Sequence, residues 1–234
     1  MRHLIAACFV VLGCALVQPA TAQDEERGVP ILSAPYHLPV FRNEYVTLLN
    51  VYVPPGKTTG YHIHTSDSVS VNIQPADMTN QPLGAPAAGP PQRGEAGRAN
   101  FAAYTKDGPR THKATNVGTT PFHNISIIFN SAQPYRFTPL ARNSPAYTQI
   151  MDNDRARAWR LALEPGQAAP AITQSAPGIR IVIAGSELAE SVPGRPDRAM
   201  SPRTGEFFWQ DAGVTRAVRN TGKTRLELVE FELK

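Results

Sequence analysis

Gly56-Lys57-Thr58-Thr59-Gly60-Tyr61-His62-Ile63-His64 is the stretch that decides how this chain reads. Side chains on an extended segment alternate between faces, so His62 and His64 share one and Tyr61 packs on the other. Further along, His112-Lys113-Ala114-Thr115-Asn116 runs into Val117-Gly118-Thr119-Thr120-Pro121. A third imidazole from a neighbouring strand would complete a three-nitrogen site, which suits Zn, Fe, Mn, Ni or Cu.

Gly-x5-His-x-His followed by His-x3-Asn resembles the paired motifs of the cupins. The resemblance implies an all-β architecture of double-stranded β-helix (jelly-roll) barrels. It also implies that His62, His64 and His112 ligate one divalent transition metal. The cupin pattern places a glutamate at Ser68 or Val69. Here Asp67 stands one place early and is the candidate fourth ligand, provided the turn is one residue tighter. Without it, a neutral three-His face leaves positions for water or substrate, as in some cupin-like dioxygenases. The second motif also departs from the pattern, with Asp107-Gly108-Pro109 in place of Pro-x-Gly. Arg110 lies two residues before His112 on the same strand face. It is a candidate substrate-binding group, because guanidinium suits carboxylates. Asn116 reads as a turn residue, and His37 and His123 have no partner at useful spacing.

β-Branched and aromatic runs bounded by turn residues recur at Tyr45–Val53, Gly60–Thr65, Val69–Ile73, Asn100–Thr105, Thr111–Thr115 and Asn124–Phe129. Between Gln81 and Arg98, Pro, Gly and Ala dominate, which reads as a long loop. The second half then repeats the first. Leu161-Ala162-Leu163-Glu164-Pro165-Gly166 answers Val51-Tyr52-Val53-Pro54-Pro55-Gly56, and Arg216 to Gly222 answers His112 to Gly118. A repeat of this size predicts two tandem barrels, residues 23–148 and 149–234, each burying its own core. The second copy keeps its turn residues Pro165, Gly166 and Asn220. At the histidine positions it carries Ile172, Gln174 and Arg216. Turn residues are what the architecture demands, so the histidines of copy one point to chemistry and copy two is expected to bind no metal.

Met1-Arg2-His3, the apolar run Leu4–Val17 and Ala20-Thr21-Ala22 read as an export signal cleaved before Gln23, which implies a periplasmic or secreted protein. Both cysteines, Cys8 and Cys14, lie within it, so the mature chain has neither disulfides nor thiol chemistry. The net charge is only +4, and the Lys and Arg residues are scattered, so nucleic acid is a poor candidate partner. No phosphate loop, Ser-His-Asp constellation or dinucleotide fingerprint is convincing. No membrane association is expected after cleavage. Two functional readings remain open. One is a metalloenzyme of dioxygenase, decarboxylase, isomerase or lyase type acting on a small oxygen-rich substrate. The other is a non-catalytic cupin that binds a metal, sugar or small acid. Cupins also resemble one another in forming homo-oligomers.

Overall fold

A computed structural model describes residues 27–234; the expected export segment and both cysteines lie outside the described residues. Among the described residues, eighteen strands carry the fold, numbered β1 to β18 in chain order. In the first half, β2 (His37–Arg42), β3 (Val46–Val53), β5 (Ser68–Gln74), β7 (Ala99–Ala102) and β9 (Phe122–Phe129) form one sheet in the order β2-β3-β9-β5-β7. Facing it are β1 (Val29–Pro30), β4 (His62–His64), β6 (Met78–Pro82) and β8 (Arg110–Asn116), in the order β1-β4-β8-β6.

The second half repeats this arrangement. Its five-stranded sheet runs β10 (Tyr147–Asp152), β11 (Ala156–Leu163), β18 (Leu226–Leu233), β13 (Gly178–Ala184), β16 (Phe207–Gln210). Its four-stranded sheet runs β12 (Ala168–Thr173), β17 (Thr215–Asn220), β14 (Leu188–Ser191), β15 (Arg198–Met200). The protein is therefore all-β, with two tandem barrels of like topology. A division after residue 148 would fall inside β10, which pairs along its length with β11. Among the described residues, no helix is long and apolar enough to cross a membrane.

The shared turn residues do the same work in both copies. Asn116 donates from Nδ2 to the carbonyls of Val53 (2.9 Å) and Thr120 (2.8 Å). Asn220 does so to Leu163 (2.9 Å) and Thr224 (2.8 Å). Gly56 and Gly166 each donate their N–H to the asparagine's own carbonyl, at φ of +72° and +80°. A side chain at that φ is strained, which is why glycine recurs there. Asn43 and Asn153 also match: each Oδ1 accepts two backbone N–H groups at the start of β3 and β11. These carboxamides satisfy backbone groups that the turns would otherwise bury unpaired.

The largest apolar core lies between the barrels. Val46, Leu48, Val69, Val71, Ile125, Ile127 and Phe129 from one five-stranded sheet pack with Ala156, Ala158, Ile179, Ile181, Val229 and Phe231 from the other. These positions alternate with inward-facing ones, so each five-stranded sheet is buried on both faces. Inside barrel two, Trp159, Leu161, Leu163, Val182, Leu226 and Leu228 form a second core. Inside barrel one the buried apolar set is only Leu49, Val51 and Val53, with partners such as Phe122 and Met78. Each barrel thus has an apolar cluster of its own, the smaller one in barrel one. The interface supplies the main core, and the interior of barrel one is left largely open.

Candidate metal centre

β4 and β8 pair antiparallel with His62 opposite His112 and His64 opposite Arg110. This register, together with strand alternation, brings His62, His64 and His112 onto one inward face. One ring nitrogen from each lies within 4.8 Å of the others. Among the described residues, no other group of His, Cys, Asp or Glu converges in this way. His64 Nε2 stands 2.9 Å from His112 Nε2. Two ring lone pairs that close repel unless a proton or cation lies between them.

The ring environment selects the ligating form. Burial lowers the pKa of His62 to about 4, helped by neighbouring His37. Burial, then the charges of His62, His37 and Arg110, lowers His64 to about 3. Burial and the same kinds of neighbour lower His112 to about 2. All three are therefore neutral at neutral pH, as metal ligation requires. The other ring nitrogens are engaged as well. His62 Nδ1 donates to the Gly60 carbonyl at 3.1 Å, which leaves its Nε2 lone pair free. His112 Nδ1 lies 2.5 Å from the carboxamide of Asn80. The Asn80 Nδ2 group faces that nitrogen, so the carboxamide holds the orientation of the ring. The donor set fits a borderline divalent transition ion, and the three histidines would hold it.

Asp67 is not in this cluster. Its Oδ1 accepts from Thr105 N–H (2.8 Å) and Thr105 Oγ1–H (2.6 Å). Its Oδ2 faces Arg155 Nε of barrel two at 3.6 Å. The expectation of a fourth ligand from Asp67 is therefore corrected. A buried carboxylate is held by the nearest charge and donors, and here those are a guanidinium and Thr105. Asp67 instead anchors the single-turn helix Tyr104–Asp107, whose Tyr104 ring stacks on His64 at 4.8 Å.

Arg110 is exposed, with Nη2 3.5 Å from Asn80 Oδ1. It stands outside the cavity lining, and its charge is near enough to disfavour protonation of His64 and His112. Three residues that sequence reasoning passed over do reach the site: Tyr104, Asn80 and His37. The His37 ring lies 4.6 Å from that of His62, and its Nδ1 donates to Pro35 O at 2.9 Å. No spacing rule joins an edge-strand histidine, or an asparagine on β6, to the motif. Only the sheet order does.

Beside the histidines opens a cavity of about 420 Å³ in the interior of barrel one. Among the described residues, no Asp, Glu, Lys or Arg lines it. Its size falls within the range usual for small-molecule sites.

No protein-family model matches the chain, and no curated protein matches it. Solved structures do. The salicylate 1,2-dioxygenase of Pseudaminobacter salicylatoxidans aligns with TM-score 0.57 at 12% identity, covering 86% of this chain and 76% of that one. A mutant of that dioxygenase in complex with gentisate aligns with TM-score 0.54 at 12% identity, covering 81% of this chain and 69% of that one. YhaK from Escherichia coli aligns with TM-score 0.55 at 13% identity, covering 90% of this chain and 95% of that one. A cupin 2 conserved barrel domain protein from Leptotrichia buccalis aligns with TM-score 0.51 at 8% identity, covering 84% and 88%. Identities this low speak to fold. The chain has the two-barrel cupin fold, with a three-histidine cluster suited to a metal in the first barrel.

Proposed function

We propose that this chain is an exported, metal-dependent cupin enzyme that carries out dioxygenase-type chemistry on a small oxygen-bearing molecule. The observation that carries this reading is the convergence of three neutral imidazoles, without a carboxylate, on an open uncharged cavity. Three protein donors leave coordination positions for exogenous ligands, the arrangement of catalytic rather than structural sites. An ion held there would supply Lewis-acid polarisation of a substrate oxygen and, for iron, manganese or copper, redox chemistry with dioxygen. The fold likeness to a salicylate dioxygenase agrees with this reaction class, although fold alone does not choose a chemistry.

Within the chain, the Gly60 carbonyl fixes the His62 tautomer that presents Nε2, and Asn80 holds the orientation of the His112 ring. Tyr104 covers one face of His64 and narrows access. Export rests on the N-terminal segment alone, and mass spectrometry of protein from its native compartment should find Gln23 first. The activity is tested by elemental analysis of that protein, followed by dioxygen consumption with small hydroxylated and phenolic compounds. One metal equivalent and substrate-dependent uptake of dioxygen are expected. Metal with saturable ligand binding but no turnover would instead make the chain a binding protein.

A further inference from the structure

Opposite the histidines, the inner wall of barrel one is made by β5, β7 and β9. Among their inward positions are Ser68, Ser70, Asn72, Asn100, Asn124 and Ser126, which line the cavity together with Ala102 and Phe122. Six of these eight bear a hydroxyl or carboxamide, and none is charged. Ser126 Oγ donates to Asn124 Oδ1 at 2.9 Å, and Asn124 Nδ2 approaches Asn72 Oδ1 at 3.5 Å. The side chains of Ser68, Ser70 and Asn100 make no hydrogen bond among the described residues, so they keep free donors and acceptors facing the space.

The fold does not require this wall. Ser70 stands opposite Ser126 across β5 and β9. At the corresponding place in barrel two, Arg180 stands opposite Glu230 across β13 and β18. There the two side chains form a buried ion pair at 2.7 Å. The inner positions next to them carry Gly178, Val182 and Leu228. The same architecture thus accepts large charged or apolar residues at these sites. Small uncharged polar groups in barrel one leave space and hydrogen-bonding capacity together.

Resting on the reading of His62, His64 and His112 as the metal-holding end of the cavity, we infer that the ligand of this pocket is a neutral, multiply hydroxylated small molecule. Its end remote from the ion is uncharged and hydrogen-bonds to the serine and asparagine wall. Burying a second charge against that wall would cost free energy that no lining side chain offsets. An apolar ring would leave the wall's polar groups unpaired. A carboxylate at the remote end would find no cation among the described lining residues.

The test uses full-length, metal-loaded mature protein. Calorimetric titration compares neutral monosaccharides with their uronic-acid counterparts and with benzoate, and metal content is measured separately. At least one neutral sugar should bind, with its uronic acid at least tenfold weaker and benzoate weaker still. Ser70→Ala with Ser126→Ala should weaken sugar binding at least tenfold while metal content stays at wild type. Ser70→Arg with Ser126→Glu imports the pair of barrel two, and should abolish binding with metal retained. Equal or tighter binding of the acids, failure of every neutral sugar on metal-loaded protein, or unchanged binding by the Ala pair would overturn the inference. Absence of metal from the wild type would instead overturn the metal-site reading, so the two failures are distinct.

Discussion

Barrel one and barrel two share topology, turn glycines and capping asparagines, yet their interiors are opposites. Barrel one holds a neutral cavity ending in three imidazoles. At the matching histidine positions barrel two carries Ile172, Gln174 and Arg216, and its interior is closed by charge. Glu230 receives Arg142 and, at 2.7 Å, Arg180 Nε. Arg180 also reaches Glu190 at 2.7 Å, with Arg216 Nε 3.9 Å from the same carboxylate. Gln174 accepts from Arg142 at 3.3 Å. The Arg142 guanidinium lies over the rings of Trp159 (4.2 Å) and Tyr147 (4.9 Å). Gln174 and Arg216 have thus joined a network that fills the barrel, while Ile172 packs against its apolar core. Arg216 ties down this interior through Glu190 and Gln210 and does not stand free as an anion site. The difference teaches that the cupin frame is stable with either interior, so the open, uncharged one marks function.

The largest expected effect is in the closed barrel. Glu230→Ala leaves Arg142 and Arg180 buried without their shared partner and should destabilise the protein by roughly 3–5 kcal/mol. Urea denaturation would show this as a lower midpoint; a midpoint equal to wild type would mean that the network is incidental. The same residue sets an acid limit. Burial alone would raise its pKa from 4.5, but Arg180 and Arg142 outweigh burial and hold it at about 2. A depressed carboxylate pKa contributes stability that is fully present above the unfolded value. That contribution is lost as pH falls from 4.5 towards about 2, so an acid titration of stability should show a step that Glu230→Gln lacks.

In the open barrel, His62→Ala and His112→Ala should each weaken metal affinity by roughly a hundredfold or more, beyond the loss expected for a supporting residue. Thermal melts of the metal-free forms should stay close to wild type, since Ile172 and Arg216 serve the same frame. Metal retained by the double variant would place the site elsewhere. Asn80→Ala removes the partner of His112 Nδ1 and should cost about tenfold in metal affinity, read by competition with a chelator. An affinity equal to wild type would show that Asn80 does not orient the ring. Smallest of all, Asp67→Asn and Gln174→Ala should leave metal stoichiometry at one. Loss of metal in Asp67→Asn would restore that carboxylate as a ligand.

Much of this was legible in the chain itself. The repeat announced two barrels because turn glycines and capping asparagines are local requirements, set by φ and by backbone groups within a few residues. His62 and His64 share a face by strand alternation alone, and the resemblance of His112 to Asn116 to the second cupin motif located His112. Other features depend on which strands become neighbours, and no local rule encodes that. Asp67 looked like a ligand by spacing. It was claimed by Arg155, a residue of the other barrel, and by Thr105. Asn80 and His37 reach the site only because β6 lies beside β8 and β2 lies beside β3. The sequence by itself determined the fold class, the duplication and the three imidazoles. The tertiary structure decided where the charges went, because a buried charge settles on whichever partner the packing brings within reach. That is why one barrel closed on an arginine–glutamate network and the other stayed open.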